Sequence, residues 1–462
     1  VIKPKRYFFC GIGGSGMLPL AIILKGLGHY VQGSDRSRDQ GRTPEKFTWI
    51  ESQGIELFPQ DGSGIDQALD ALVISTAVED SIPDVAAAKK LGVNIRKRAD
   101  ILAEYFNAAK TRIAIAGTSG KTTVTGMVGF LLKEAGFDPI VMNGGIFRNY
   151  SDDNPYATAL VGKGDVFVTE ADESDGSIAL YSPDIALVHN ITLDHKPLPE
   201  LKALFGDFLA KAKTPIVNIA DEHIAEVLAG RTDTVTYSVD GGGGDIRVSN
   251  ISYKPFGVDA LVSLQNGENA LIALQVPGIH NLSNALAALS IGIAMGVPLN
   301  KGAGILSRFT GIKRRMELIG EKGGIAVLDD FAHNPDKLAA SLSALRKFSG
   351  RLQIFFQPHG YGFLKLVREE LVQTFASHLM SEDKVYFVEP LYLGGTVDRS
   401  IGSFQIVSDL CALKVDATLC EDRDDVKRQI LAQAKLGDRI IVMGARDDTL
   451  SMFASDLLES IL

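Results

Sequence analysis

The sequence predicts an α/β protein of three domains: Rossmann-like at the N-terminus, P-loop ATPase-like with an antiparallel insert in the centre, and Rossmann-like at the C-terminus. Three observations predict it. Short apolar runs alternate with helical patterns, as in doubly wound parallel sheets. Glycine-rich loops follow two of those runs, "CGIGGSGM" at 10–17 and "GTSGKTT" at 117–123. A third strand–loop–helix series opens at "GIAVLDDFAHNPDKLAASLSALRKF".

The elements follow in order. Residues 1–106 read as strand "RYFFCGIG", helix "GMLPLAIILKGLG", strand "YVQGSD", helix "TPEKFTWIESQGI" and strand "ALDALVISTAV". A boundary is expected near Asn107, and residues 107–312 form the central domain, with strands at "IAIAG", "DVFVTEAD", "DIALVHNI" and "TPIVNIA". Between about 234 and 277 the pattern changes to alternation, with "DGGGGD" (240–245) and "QNGEN" (265–269) expected as hairpin turns. Residues 313–462 are α/β again, through "RLQIFFQPHG", "KVYFVEPL" and "DRIIVMGA".

Composition narrows the function. A net charge of −9 over 462 residues lacks the basic stripe of a nucleic-acid binder. Cys10, Cys411 and Cys420 make no metal or redox spacing and fit a reducing compartment. No apolar run is long enough to span a membrane. "MLPLAIILKGLGHYV" is interrupted by Lys25 and lacks a signal-peptide cleavage pattern, so a cytoplasmic location is expected.

The first loop has the Gly-x-Gly-x-x-Gly form, and Asp35 follows at close to the spacing of a dinucleotide fingerprint. Alone it suggests an NAD(P)-dependent oxidoreductase. The second loop carries the stronger signal. Gly117 and Gly120 let backbone N–H groups face phosphate, with Thr118, Ser119 and Thr123 completing the turn. Lys121 supplies charge at the β/γ-phosphates and Thr122 a hydroxyl for magnesium. Beyond the next strands stand Glu170, Asp172, Glu173 and Asp175, then Asn190, Asp194 and His195. Acids and an imidazole beside a phosphate loop can hold Mg²⁺, a job that an oxidoreductase would leave undone. A non-catalytic nucleotide binder is the remaining alternative, opposed by the intact Lys121, Thr122, Glu170 and His195.

"GTSGKTT", "EADESD", "HNITLDH", "GIHNLSNALAA", "RRMELIG" and "DDFAHNP" resemble, in order and spacing, the motifs of the Mur ligases, ATP-dependent amino-acid ligases of peptidoglycan precursor synthesis. The resemblance covers essentially the whole chain. It implies that Lys121 binds the γ-phosphate, that Thr122 and Glu170 hold a first magnesium and His195 a second, and that Asn284 contacts adenine. It further implies that Arg315 reaches the ATP phosphates, that Asp330 binds ribose, and that His333 lies near the reaction centre. Domain closure would complete such a site. A lysine carbamate found in many relatives would fall near Ala210 and Lys211, but relatives that act on UDP-N-acetylmuramate itself lack it and none is expected here.

The N-terminal loop resembles that of members acting on UDP-N-acetylmuramate. Gly13, Gly14, Ser15 and Gly16 are then expected at the diphosphate and Asp35 near the nucleoside. Ser75, Thr76, Arg98, Asn143 and Asn190 are expected around the sugar nucleotide. The resemblance implies L-alanine as acceptor, with His359 and Lys365 (or Arg368) beside it. Three positions depart from the alanine-adding pattern: Ser119 for histidine, "DDFAHNP" in the C-terminal motif, and Gly360 and Phe363 where arginines follow "FQPH". "RRMELIGE" and "DDFAH" resemble instead the members that attach an L-Ala-γ-D-Glu-meso-diaminopimelate tripeptide to the same sugar nucleotide.

Overall fold

A computed structural model describes residues 3–76, 78–192, 196–228, 230–390, 398–445, 447 and 449–461. The chain divides into two compact units, one of residues 1–249, 261–272 and 283–309, the other of residues 250–260, 273–282 and 310–462.

The first unit opens with a five-stranded parallel sheet in the order Glu56–Phe58, Tyr30–Ser34, Arg6–Cys10, Ala71–Ile74, Ile95–Lys97. Tyr7, Phe8 and Phe9 are all buried, because a central parallel strand is covered on both faces. The chain fills one side of Arg6–Cys10 before crossing to the other. That makes the carboxyl end of this strand the topological switch point, where ligands bind in such sheets, and the first glycine loop lies there.

Phe106, on the helix Arg98–Ala108, meets Phe167 and Tyr181 with ring centroids 5.7 and 5.2 Å apart. These aromatics belong to one core cluster that also contains Leu20, Leu24 and Phe205. Asn107 thus lies inside a compact unit, and its side chain bonds the backbone at Leu180 and Ser182.

The second sheet has ten strands: Asn269–Leu274, Gly257–Leu264, Ile246–Lys254, Val235–Ser238, Thr214–Asn218, Ile185–Val188, Thr111–Ala116, Val166–Glu170, Ile140–Met142, Ala159–Val161. Thr111–Ala116 lies between Ile185–Val188 and Val166–Glu170, parallel to both. The phosphate loop, Glu170 and the His189–Asn190 pair therefore emerge side by side beyond the carboxyl ends of three adjacent strands. "QNGEN" is a tight turn, with Leu264 N–H donating to Glu268 O and Gly267 at φ +90°. "DGGGGD" is not a hairpin. Val235–Ser238 and Ile246–Lys254 pair in parallel, and the segment returns the chain through left-handed Gly241, Gly243 and Gly244. Asp245 pins that return by accepting from both the N–H and the hydroxyl of Thr236.

The second unit contains a six-stranded sheet in the order Glu317–Lys322, Ile325–Asp330, Arg439–Gly444, Leu352–Gln357, Lys384–Phe387, Ala417–Leu419. Only the first pairing is antiparallel. Asp330, Gly444 and Gln357 end three adjacent strands. Among the described residues no helix is long and apolar enough to cross a membrane.

Candidate active site

The first loop is built around Asp35. Its two carboxylate oxygens accept from Gly13 N–H at 2.9 Å and Ser37 N–H at 2.8 Å. A Cβ at Gly13 would start 3.0 Å from that carboxylate and 3.1 Å from Phe47, so any larger residue presses on both side chains. Gly14 N–H donates back to Gly11 O, and Gly14 and Ser15 stand exposed at the tip. Asp35 thus shapes the loop and caps the next turn. Gly16 packs against Arg98, whose Nε lies 3.3 Å from the position a Cβ would take there. Ser75 and Thr76 follow the strand Ala71–Ile74, with Thr76 exposed.

The second loop is clamped from the neighbouring strand. Asn190 Oδ1 accepts from Thr118 Oγ1 at 2.9 Å and Ser119 N–H at 2.8 Å, and its Nδ2 donates to Ser119 O. Asn190 therefore braces the phosphate loop. Gly120 has φ +84°, and a Cβ there would fall 2.9 Å from both Asn284 Oδ1 and His189 Cδ2. Asn284 thus lies directly over the loop. His189 beneath it bonds Tyr237 Oη at 2.6 Å.

Lys121 begins the helix Lys121–Ala135. Its Nζ donates to Gly117 O and to Glu173 Oε2, both at 2.7 Å. Burial alone would lower its pKa, but Glu173, Asp172 and Glu170 outweigh it and the net shift is upward. The ammonium is therefore charged at any working pH. Thr122 Oγ1 lies 3.2 Å from Glu170 Oε2, and Glu170 Oε1 accepts from Gly144 N–H at 2.6 Å. A Cβ at Gly144 would intrude 2.9 Å from Glu170 Oε1 and 3.3 Å from Thr122 Oγ1. The missing side chain leaves a cradle between two hard oxygen donors, which fits magnesium. Among the described residues no group of three or more His, Cys, Asp or Glu is placed to hold a metal, and His195 lies outside the described residues. Asn143 is buried and its Nδ2 donates to Gly145 O, shaping the turn that carries Gly144. Lys211 Nζ donates to Ala179 O at 2.7 Å and Tyr181 O at 3.4 Å.

In the second unit the turn 314–316 is strained, with Arg314 at φ +61° and Met316 at φ +48°. Arg314 holds it by bonding Asp329, Asp447 O and Gly444 O. Asp330 is buried, accepts from Met316 N–H and Ser341 Oγ, and burial raises its pKa. The strained turn carries Arg315, whose guanidinium lies 4.6 Å from the Phe331 ring centre. His333 Nδ1 sits 2.9 Å from Phe331 O. A carbonyl only accepts, so Nδ1 carries the proton and Nε2 the lone pair. Burial first, then Lys337, pushes its pKa down to about 3. His359 packs against Phe363 at 4.3 Å with the rings tilted and meets His333 edge-on at 5.1 Å. Lys365 pairs with Asp398, and Arg368 grips Asp409 with two nitrogens, so neither charge stands alone.

Some of these partners carried no recognisable sequence signal. Glu173 read as one acid among four. Gln357 accepts from Arg423 and donates to Asp447, contacts joining distant segments.

Comparison with known proteins fits this geometry. Three family models match: "Mur ligase family, catalytic domain" over residues 6–110, "Mur ligase middle domain" over 115–292, and "Mur ligase, glutamate ligase domain" over 314–446. UDP-N-acetylmuramate–L-alanine ligase of Desulforamulus reducens is 34% identical over 457 residues, covering 96% of each chain. The enzyme of the same name from Streptomyces coelicolor is 35% identical over 460 residues, covering 96% of this chain and 95% of its own. The chain belongs to the Mur ligase family. Among solved structures, the UDP-N-acetylmuramate–alanine ligase of Thermotoga maritima superposes with a TM-score of 0.80 at 25% identity, covering 98% of both chains. A murein peptide ligase of Psychrobacter arcticus shares the Mur ligase fold, with a TM-score of 0.73, 24% identity and coverage of 99% and 98%.

Proposed function

We propose that this Mur ligase joins L-alanine to the lactyl carboxylate of UDP-N-acetylmuramate, consuming ATP and releasing ADP and phosphate in the cytoplasm. The observation that carries the reading is the charged Lys121 at the loop mouth beside the Thr122–Glu170 cradle. The near-full-length relatives named for this reaction support the choice of substrates.

A carboxylate is a poor electrophile, so its oxygen first attacks the γ-phosphorus and ADP leaves. The amine then attacks the acyl carbon, and phosphate departs from the tetrahedral adduct. Lys121 steadies the negative charge that gathers on the phosphates. Thr122 and Glu170 would hold Mg²⁺, which supplies charge neutralisation at the transferred phosphoryl group. His333, neutral with its lone pair on Nε2, is too weak a base to deprotonate an ammonium, and its Nε2 instead offers a hydrogen-bond acceptor that can orient the acceptor's amine. At the first loop Gly14 to Gly16 and Arg98 anchor a diphosphate that is never broken.

The test is mass spectrometry of the product formed from ATP, Mg²⁺, UDP-N-acetylmuramate and one acceptor at a time. L-Alanine, L-serine, glycine and the L-Ala-γ-D-Glu-meso-diaminopimelate tripeptide form the panel. Product with L-alanine and none with Lys121→Ala supports the proposal; product with the tripeptide alone replaces it.

A further inference from the structure

Glu173 takes no part in the chemistry above, yet its side chain is 2% exposed and its Oε2 lies 2.7 Å from Lys121 Nζ. It differs from Glu170, which faces the cradle and accepts from Gly144 N–H and Thr122 Oγ1. Glu173 directs its charge at the lysine instead. An ammonium has three N–H donors, and Glu173 and Gly117 O accept two of them. A phosphate that reaches Lys121 therefore shares this one cation with a buried carboxylate. At such short range, away from bulk water, the two anions repel with little screening.

That repulsion grows with the net charge of the nucleotide, and a divalent cation cancels two of its negative charges. We propose that Glu173 is a specificity-determining residue that makes the phosphate loop select the magnesium complex of the nucleotide over the metal-free nucleotide. The inference rests on the assignment of this loop to ATP. Lys121 attracts both forms, whereas Glu173 penalises the metal-free form more. The same contact keeps the ammonium pointed across the loop mouth before any ligand arrives.

The experiment measures ADP binding to the full chain by isothermal titration calorimetry, once with excess Mg²⁺ and once with EDTA. Glu173→Gln keeps the shape and an acceptor for Lys121 but removes the charge. The preference for Mg-ADP over ADP is expected to fall about tenfold, chiefly through tighter binding of metal-free ADP. Glu173→Asp, which keeps the charge, keeps the preference. Glu173→Ser, smaller and neutral, loses it like Glu173→Gln, and melting curves show which variants are folded. An unchanged preference in either folded neutral variant, with both forms weakened or tightened alike, overturns the inference. That is the outcome for a residue that only holds Lys121 in place. Wild-type protein that binds ADP under neither condition overturns the assignment of the loop, and this inference with it.

Discussion

Arg98 Nη2 lies 3.9 Å from Asp175 Oδ2, and the same guanidinium packs against Gly16 of the first loop. Asp175 belongs to the acidic turn that also presents Glu173 to Lys121. One side chain at the start of the helix Arg98–Ala108 thus reaches from the first glycine loop to the turn that serves the phosphate loop. The shared core around Phe106, Phe167 and Tyr181 fixes this arrangement.

Arg98→Gln is expected to weaken UDP-N-acetylmuramate about tenfold or more, the usual cost of a charge-assisted hydrogen bond. ADP affinity should move far less. Titration calorimetry with each ligand separately checks this. Equal losses for both would mean that Arg98 supports the fold rather than the diphosphate.

Asn190→Ala removes the brace of the phosphate loop and leaves Ser119 N–H without its Oδ1 acceptor. Stability should fall by roughly 1–3 kcal/mol, and ADP binding should weaken while UDP-N-acetylmuramate binding holds. Thermal melts and two binding isotherms suffice. A selective loss of the sugar nucleotide would instead place Asn190 at that ligand.

Gly120→Ala forces a Cβ into left-handed backbone and against Asn284 and His189. The backbone strain alone costs about 1–2 kcal/mol. The variant should melt earlier and lose ADP binding, whereas Gly304→Ala, with open space around it, should behave as wild type.

His333 gives a pH dependence whose sign follows from its depressed pKa, about 3 against an ordinary 6.5. Below 6.5 the unfolded chain binds a proton that the folded chain refuses, so stability falls as pH drops from about 6.5 toward 3. Above 6.5 the contribution is complete. His29 is also shifted down, by burial and then Lys5, and adds to the same acid side. Melting His333→Gln beside wild type across this range should show a shallower decline in the variant.

The parallel strands and both glycine loops were legible because each element announces itself locally, by an apolar run or a turn residue. The site that gathers Lys121, Thr122 and Glu170 follows from the rule that ligands lie beyond strand carboxyl ends. The roles of individual polar residues were less legible. Asp35 and Asn190 were expected at a ligand, and their contacts with the Gly13, Ser37 and Ser119 N–H groups add a loop-shaping part that no pattern announced. Sequence spacing places a polar side chain near a loop but does not name the backbone groups it bonds. "DGGGGD" failed for a related reason: glycine permits a reversal without specifying the register of the strands it joins. The Arg98–Asp175 and Lys121–Glu173 pairs depend on packing between segments far apart in the chain, and no local pattern encodes them.

The central claim is that ATP cleavage here serves bond formation between two substrates. ADP release should be measured with ATP and Mg²⁺ alone, with UDP-N-acetylmuramate added, and with UDP-N-acetylmuramate and L-alanine together. Sustained release only in the complete mixture, matched mole for mole by UDP-N-acetylmuramoyl-L-alanine, is the predicted result. Release that ignores the sugar nucleotide, or a complete mixture that yields no amide, would contradict it.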